Sequence, residues 1–225
     1  YFLITGFASS GEFHFGHKAI MDLYLDLHKY TDKGYFVICD IDAYVSRPDS
    51  KVPSLEKAKE YAVNNVANAL ASRIPEKDIV IQSKQDPEYF SLSHMISKKL
   101  TLNSLRSALG HEDLGKFSAC YLQISDILYP QIKEGKTPTL IPMGIDQEPI
   151  IRLCRDVARK LRKQYDLELP SSIYISHVPS FRNIHEKMSK SKEGFGISLT
   201  EDEENIYRIV HKAFTGGRGT ITEQR

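Results

Sequence analysis

The apolar positions of this chain fall into short continuous runs separated by longer segments of helical period. "YFLIT" (1–5), "GYFVICDI" (34–41), "DIVIQS" (78–83), "TPTLIPMG" (137–144) and "SSIYISH" (171–177) read as buried strands. Their apolar residues are contiguous, few, and bounded by Gly, Pro or polar residues. A helix starting near Phe13 carries Ile20, Leu23, Leu27 and Tyr30 as an apolar stripe. The next helix is capped by Ser54, with Lys57 rather than Glu three residues on, and carries Tyr61, Val66, Ala69 and Leu70. The stretch from Pro87 to about Tyr129 reads as helical throughout. "DQEPIIRLCRDVARKL" (146–161) is a helix with Pro149 in its first turn, where proline is tolerated. A last helix runs from about Glu201 to Ala213. Two polar loops stand out: the proline-broken "SRPDSKVPS" (46–54) and the glycine-bearing "RSALGHEDLGK" (106–116).

Strand and helix in alternation predict an α/β fold, a Rossmann-like doubly wound parallel sheet with a helical insertion at about 87–130. In such sheets ligands bind beyond the carboxyl ends of the strands, where the strand order reverses. The turns at 6–13, 40–47, 143–147 and 177–196 are therefore the places to look for chemistry.

Composition narrows the class without naming it. The chain has 225 residues, 41% hydrophobic and 26% charged, which suits a globular protein. A net charge of +1 shows no overall basic excess, so any nucleic-acid contact rests on a local patch. Cys39, Cys120 and Cys154 are far apart and form no CxxC or Cys/His pattern, so neither a disulfide framework nor a zinc site is supported. Scattered thiols suit a reducing cytoplasm. No apolar run approaches the roughly 18–20 residues of a membrane span.

The first turn, "TGFASSGEFHFGH", holds Gly6, Gly11 and Gly16, which allow close approach of a ligand to backbone. His14 and His17 are three apart and share a face at the head of a helix, where orphan N–H groups and the dipole favour phosphate. Their bland alternative is a pair of histidines capping a helix. The turn is neither a GxGxxG nor a GxxxxGK[ST] motif. "KMSKS" (187–191), taken alone, is a solvated Lys/Ser turn. Asp146 and Gln147 open a helix after a strand, with an N-cap Asp and a solvent-facing Gln as the alternative. Gln123 and Asp126 lie three apart on one face of an apolar helix, and a carboxylate there needs a donor. No Ser–His–Asp arrangement and no metal box is evident.

Together these stretches resemble the class I aminoacyl-tRNA synthetases. "HFGH" (14–17) is similar to the HIGH signature, with Phe15 in place of isoleucine, and "KMSKS" matches the second signature letter for letter, 173 residues after His14. "IPMGIDQEPIIRLCRDVA" (141–158) resembles the GxDQ segment of the tryptophanyl and tyrosyl enzymes. "HVPSFRNIHEKMSKS" (177–191) and "AFTGGRGTITEQR" (213–225) resemble the archaeal and eukaryotic tryptophanyl enzymes in particular. The likeness covers nearly the whole chain. It implies a catalytic domain over 1–225, with the KMSKS loop at about 177–196 and a linker starting at 197–225. A C-terminal helical domain is then expected to be missing or truncated.

The resemblance also implies roles. His14, His17, Lys187 and Lys190 are the catalytic set on the ATP phosphates. Ser10, Gly11, Gly16, Gly144, Asp146, Met188 and Ser189 bind ATP, and Ile4, Gly6, Gln123, Asp126 and Gln147 bind the amino acid. Asp126 fits an aromatic amino acid bearing a polar hydrogen, either indole or phenol. Ile4 stands where relatives usually place a tyrosine, and it modestly favours indole. The implied substrates are ATP with substrate-borne Mg2+, L-tryptophan and tRNA(Trp). The implied assembly is a homodimer, with no membrane and no DNA. A tyrosyl enzyme, another HxGH nucleotidylyltransferase, and a synthetase-like domain that binds without activating remain as alternatives.

Overall fold

The computed structural model describes residues 1–110, 113–182, 185, 186, 188 and 196–214. Five parallel strands form one sheet: β1 (Phe2–Ala8), β2 (Gly34–Cys39), β3 (Ile79–Ile81), β4 (Thr139–Gly144) and β5 (Ser171–Ile175), in the order β3-β2-β1-β4-β5. The predicted α/β class and all five strands are present. The order reverses between β1 and β4, so the switch point lies at the carboxyl end of β1.

The β1–β4 ladder explains why a crevice opens there. β1 pairs with β2 over six residues, from Leu3↔Gly34 to Ala8↔Cys39. With β4 it pairs only at Phe2↔Thr139 and Leu3↔Leu140. Beyond that point Pro142 has no N–H to offer a ladder. The Thr5 hydroxyl bridges the gap instead, donating to Pro142 O at 3.0 Å.

The helices are α1 (Phe15–His28), α2 (Asp40–Ser46), α3 (Leu55–Ala71), α4 (Pro87–Ser97), α5 (Leu102–Leu109), α6 (Leu114–Glu134), α7 (Glu148–Leu161) and α8 (Glu203–His211). One core joins Leu3, Phe7, Phe13, Met21, Tyr24, Phe36 and Ile38 between sheet, α1 and α3. A larger one packs α4, α5, α6 and α7 around Tyr89, Leu92, Phe117, Ile124, Ile151 and Leu161. Contiguous apolar burial of this kind is the main favourable term for the fold.

Several boundaries differ from the sequence reading, each for a local reason. α1 begins at Phe15 rather than near Phe13, because His14 takes the N-cap. Its buried residues are Met21 and Tyr24, while Tyr30 lies past the helix end and is 78% exposed. The strand predicted over 34–41 ends at Cys39. Asp40 starts α2, and its carboxylate accepts from the N–H groups of Ile41 (3.0 Å) and Ser83 (2.9 Å). β3 keeps only three residues, with a single 3-10 turn on either side. Leu70 of α3 is exposed, and the buried face runs through Ala58, Ala62, Asn65 and Ala69. Ser54 caps α3 as expected, accepting from Lys57 N at 3.1 Å. α6 runs four residues past Pro130 to Glu134. The polar stretch at 106–116 is mostly helical, with Gly110 in the left-handed region (φ 72°) closing α5.

The far end of α1 is fixed by a buried carboxylate. Tyr24 Oη donates to Asp78 Oδ2 at 3.0 Å, and His28 Nε2 lies 2.7 Å from the same oxygen. A Cβ on Gly34 would fall 2.2 Å from both Asp78 Oδ2 and Tyr24 Oη, so only glycine fits there. The helix that carries both histidines at its head is thereby anchored at its tail.

Candidate active site

A cavity of about 970 Å3 opens at the carboxyl edge of the sheet, over the switch point. Every described residue that the sequence reading assigned to a site lines it: Ile4, Gly6, Ser10, Gly11, His14, Gly16, His17, Gln123, Asp126, Gly144, Asp146, Gln147 and Met188. Lys187, Ser189 and Lys190 lie outside the described residues.

At the head of α1 both histidines act as cap. His14 Nδ1 accepts from Gly16 N at 3.1 Å, and His17 Nδ1 accepts from His14 N at 3.0 Å, a reciprocal capping box made of two imidazoles. The rings lie with centroids 4.0 Å apart. A nitrogen that accepts carries no proton, so both rings hold theirs on Nε2. The capping reading and the ligand reading are thus one arrangement. The cap uses Nδ1 of each ring, and both histidines line the cavity. No acidic residue occupies the first turn of α1, so its dipole is not neutralised from within the helix.

Gly16 has a specific task here. A Cβ at this position would come within 2.8 Å of His14 Cε1 and 3.0 Å of Nδ1. Gly16→Ala is therefore expected to push the His14 ring off its cap. Alanine raises helix propensity by about 1 kcal/mol, yet the variant should melt no higher than the parent. Thermal melts of parent and variant check this.

Across the cavity, β4 ends at Gly144 and a single 3-10 turn, Ile145–Gln147, leads into α7. Asp146 is not the N-cap of α7; Gln147 is, and it makes no side-chain cap bond. The Asp146 side chain turns back instead, so that a Cβ on Gly144 would meet its Oδ1 at 2.6 Å. Gln147 is not solvent-facing alone: Gln123 Nε2 donates to Gln147 Oε1 at 3.2 Å, and Gln147 Nε2 donates to Asp146 Oδ2 at 3.2 Å. The two glutamines, 24 residues apart in sequence, form one polar strip.

Asp126 on α6 is 7% exposed. Its Oδ1 accepts from Tyr89 Oη at 2.7 Å and its Oδ2 from Gln82 Nε2 at 3.0 Å, with Cys39 Sγ 3.8 Å away. Gln82 is oriented by its other end, since its Oε1 accepts from Asp42 N at 2.9 Å. Burial is the main reason that the Asp126 carboxyl is pushed up to about 8, with Asp42 adding to it and the Tyr89 and Gln82 bonds opposing it. The donor that the sequence demanded for Asp126 is supplied by Tyr89 and Gln82, which sequence reasoning did not single out. The only earlier signal was their placement just before and within the helical middle.

The segments on both sides of the lysine signature are held by backbone pairing. Met188 is 4% exposed, and its N–H donates to Val178 O at 2.8 Å, while Ser180 N donates to Glu186 O at 2.8 Å. Farther on, Leu199 N donates to Phe13 O at 2.8 Å and Phe15 N to Ile197 O at 3.2 Å. Ser198 Oγ donates to Glu12 Oε2 at 2.7 Å. The chain just after the signature is therefore stitched to the turn that carries His14. Asp42, Arg47, Lys51, Tyr61 and Lys116 also line the cavity and had no assigned role in the sequence reading.

Residues 2–224 match the family model described as tRNA synthetases class I (W and Y). The chain is 35% identical over 233 residues to the tryptophan–tRNA ligase of Methanocaldococcus jannaschii, covering 99% of this chain and 61% of that protein. It is 34% identical over 226 residues to the corresponding ligase of Hyperthermus butylicus, covering 99% and 60%. The crystal structure of tryptophanyl-tRNA synthetase from Aeropyrum pernix K1 superposes with a TM-score of 0.87 at 34% identity, covering 100% of this chain and 60% of that one. The chain thus spans about 60% of the length of the relatives it matches. It belongs to the class I tRNA synthetase family of the tryptophan and tyrosine enzymes.

Proposed function

We propose that this chain carries the chemistry of a tryptophan–tRNA ligase: ATP-dependent formation of tryptophanyl-adenylate, then transfer of the acyl group to tRNA(Trp). One observation carries the reading. Two oriented imidazole donors and a buried carboxyl, Asp126, line a single cavity at the switch point.

A carboxylate oxygen of the amino acid attacks the α-phosphorus of ATP. The bond from that phosphorus to its bridging oxygen breaks, and pyrophosphate leaves with the bonding electrons. His14 and His17 donate from Nε2 to phosphate oxygens as their charge grows. Lys187 and Lys190 neutralise the departing pyrophosphate. Divalent metal rides on the ATP phosphates. Ser10, Gly11, Gly16, Gly144, Asp146, Met188 and Ser189 form the nucleotide side. Gln147, held by Gln123, takes the α-amino group. Asp126 accepts the ring N–H, with Ile4 and Gly6 as the wall beside it. A ribose hydroxyl at the tRNA 3′ end then attacks the acyl carbon, and AMP leaves.

Ile4 is 2% exposed and brings no hydroxyl to the pocket, which supports indole over phenol. The names of the most similar relatives point the same way. Membership of the family supports homodimeric assembly and a cytoplasmic setting, and the three cysteines are free and buried. Among the described residues, no helix is long and apolar enough to cross a membrane.

The test is ATP–pyrophosphate exchange on the intact protein, with each amino acid supplied singly. Tryptophan is expected to drive exchange. Exchange with tyrosine instead would move the chain to the sister specificity, and none with any amino acid would leave a binding domain without activation.

A further inference from the structure

The head of α1 is held from far along the chain. Phe15 N, the first N–H of the helix, donates to Ile197 O at 3.2 Å, and Leu199 N donates to Phe13 O at 2.8 Å. His14 and Ser198 stand directly opposite each other in this antiparallel bridge. The two bonds engage the peptide groups on either side of His14. Fixing both planes fixes its backbone, at φ −129° and ψ 174°, and with it the direction in which the imidazole projects. Phe13 is 1% exposed, and Leu199 packs against the core that contains it.

A bridge of two bonds specifies its register weakly. A slip of two residues would restore the same backbone pattern with another residue opposite His14. A side-chain pair supplies what the bridge lacks. Ser198 is 3% exposed, and its Oγ donates to Glu12 Oε2 at 2.7 Å. Phe13 O lies farther from the same hydroxyl, at 3.3 Å, so the carboxylate is the nearer acceptor for its one proton. Thr200 N donates to Ser198 Oγ at 3.3 Å, which steadies the hydroxyl from behind. Just before Glu12, Gly11 has φ 150°, with open space where a Cβ would stand. The turn is therefore loose at Gly11 and tied at Glu12.

We infer that Ser198 and Glu12 are positioning residues for His14. Their hydrogen bond locks 197–199 onto 13–15 in one register, and that register sets the ring on its cap at the cavity wall. This rests on the role proposed for His14 on the nucleotide and deepens it by naming what holds the ring in place.

The test combines exchange kinetics with nitrogen NMR of the imidazoles, both on the intact protein. Ser198→Ala is expected to lower kcat for ATP–pyrophosphate exchange by about 10- to 100-fold, as small misplacements of a reacting group do. The KM for tryptophan should stay put. Glu12→Ala should match it, and it gives the same readings from the cavity wall should Ser198→Ala not fold. The double variant should lose no more than either single one, because the pair acts as a unit. Glu12→Gln keeps an acceptor for the hydroxyl and should restore most of the rate. In a His14→Asn background Ser198→Ala should cost nothing further, since no ring is left to place. The parent His14 ring should show a bare Nδ1 and a protonated Nε2, and Ser198→Ala should draw the two nitrogen shifts together as the cap loosens. Unchanged kcat in both alanine variants overturns the inference, as do additive losses in the double variant. So does an equal loss in the His14→Asn background, or a slower enzyme whose His14 shifts stay those of the parent. Shifts that move as expected in a protein driving no exchange with any amino acid would sink the ligase reading while leaving the positioning of His14 standing.

Discussion

Replacing His14 with asparagine is expected to keep the fold and lose the chemistry. Asparagine is among the best N-cap residues, so stability should stay within about 1 kcal/mol of the parent. The imidazole Nε2–H disappears, and loss of one such donor to a developing phosphate charge typically slows the step by about 100- to 1000-fold. The KM for the amino acid should move little, because the role proposed for His14 is on the nucleotide. His14→Ala should show the same slow activation with a further loss of about 1 kcal/mol from the missing cap. Urea unfolding and exchange kinetics on both variants separate the two roles. A cap-competent asparagine that restores full activity would reduce the histidine pair to a structural cap.

Asp126→Asn is expected to have the largest effect on amino-acid binding. The amide keeps the shape and loses the charge, and hydrogen bonds to charged groups are worth about 1.5–3 kcal/mol. Above pH 8, where the parent carries the charge, the KM for tryptophan should therefore rise roughly 10- to 100-fold, with the KM for ATP unchanged. The pH dependence has a definite sign. The ring N–H needs an acceptor, and the carboxylate is the better one, so in the parent the KM for tryptophan should fall as pH rises through about 8. The variant should be flat there. Stability moves oppositely. The unfolded chain releases the Asp126 proton near its ordinary 3.8, whereas the folded chain keeps it to about 8. The stabilising contribution is complete below the lower value and is lost as pH climbs through the upper one. Parent melting temperatures should carry this decline, and those of Asp126→Asn should lack it. A parent KM for tryptophan that ignores pH would rule out the proposed contact between Asp126 and the substrate ring.

Much of this was legible before any coordinates. Short apolar runs predicted five strands, and five are present, because burial on both faces of a parallel strand writes a contiguous pattern. The edges of elements were less legible. Cys39 ends its strand two residues earlier than the apolar run suggests, because the Asp40 carboxylate gathers the N–H groups of Ile41 and Ser83, the latter 43 residues away. Tyr30 and Leu70 continue apolar stripes on paper and face solvent in the fold, since a period says nothing about where a helix leaves its partner.

The sequence by itself determined the alternation of elements, the edge of the sheet that carries chemistry, and the residues His14, His17, Asp146 and Gln147 on it. These are local facts, fixed by spacing, capping chemistry and strand-to-helix order. Only the tertiary structure decided which side chains hold them. Tyr89 and Gln82 reach Asp126 from 37 and 44 residues away, and Ser198 reaches Glu12 across 186. Such contacts depend on how packed helices cross and where two strands part, and packing geometry leaves no period in the chain from which to read them.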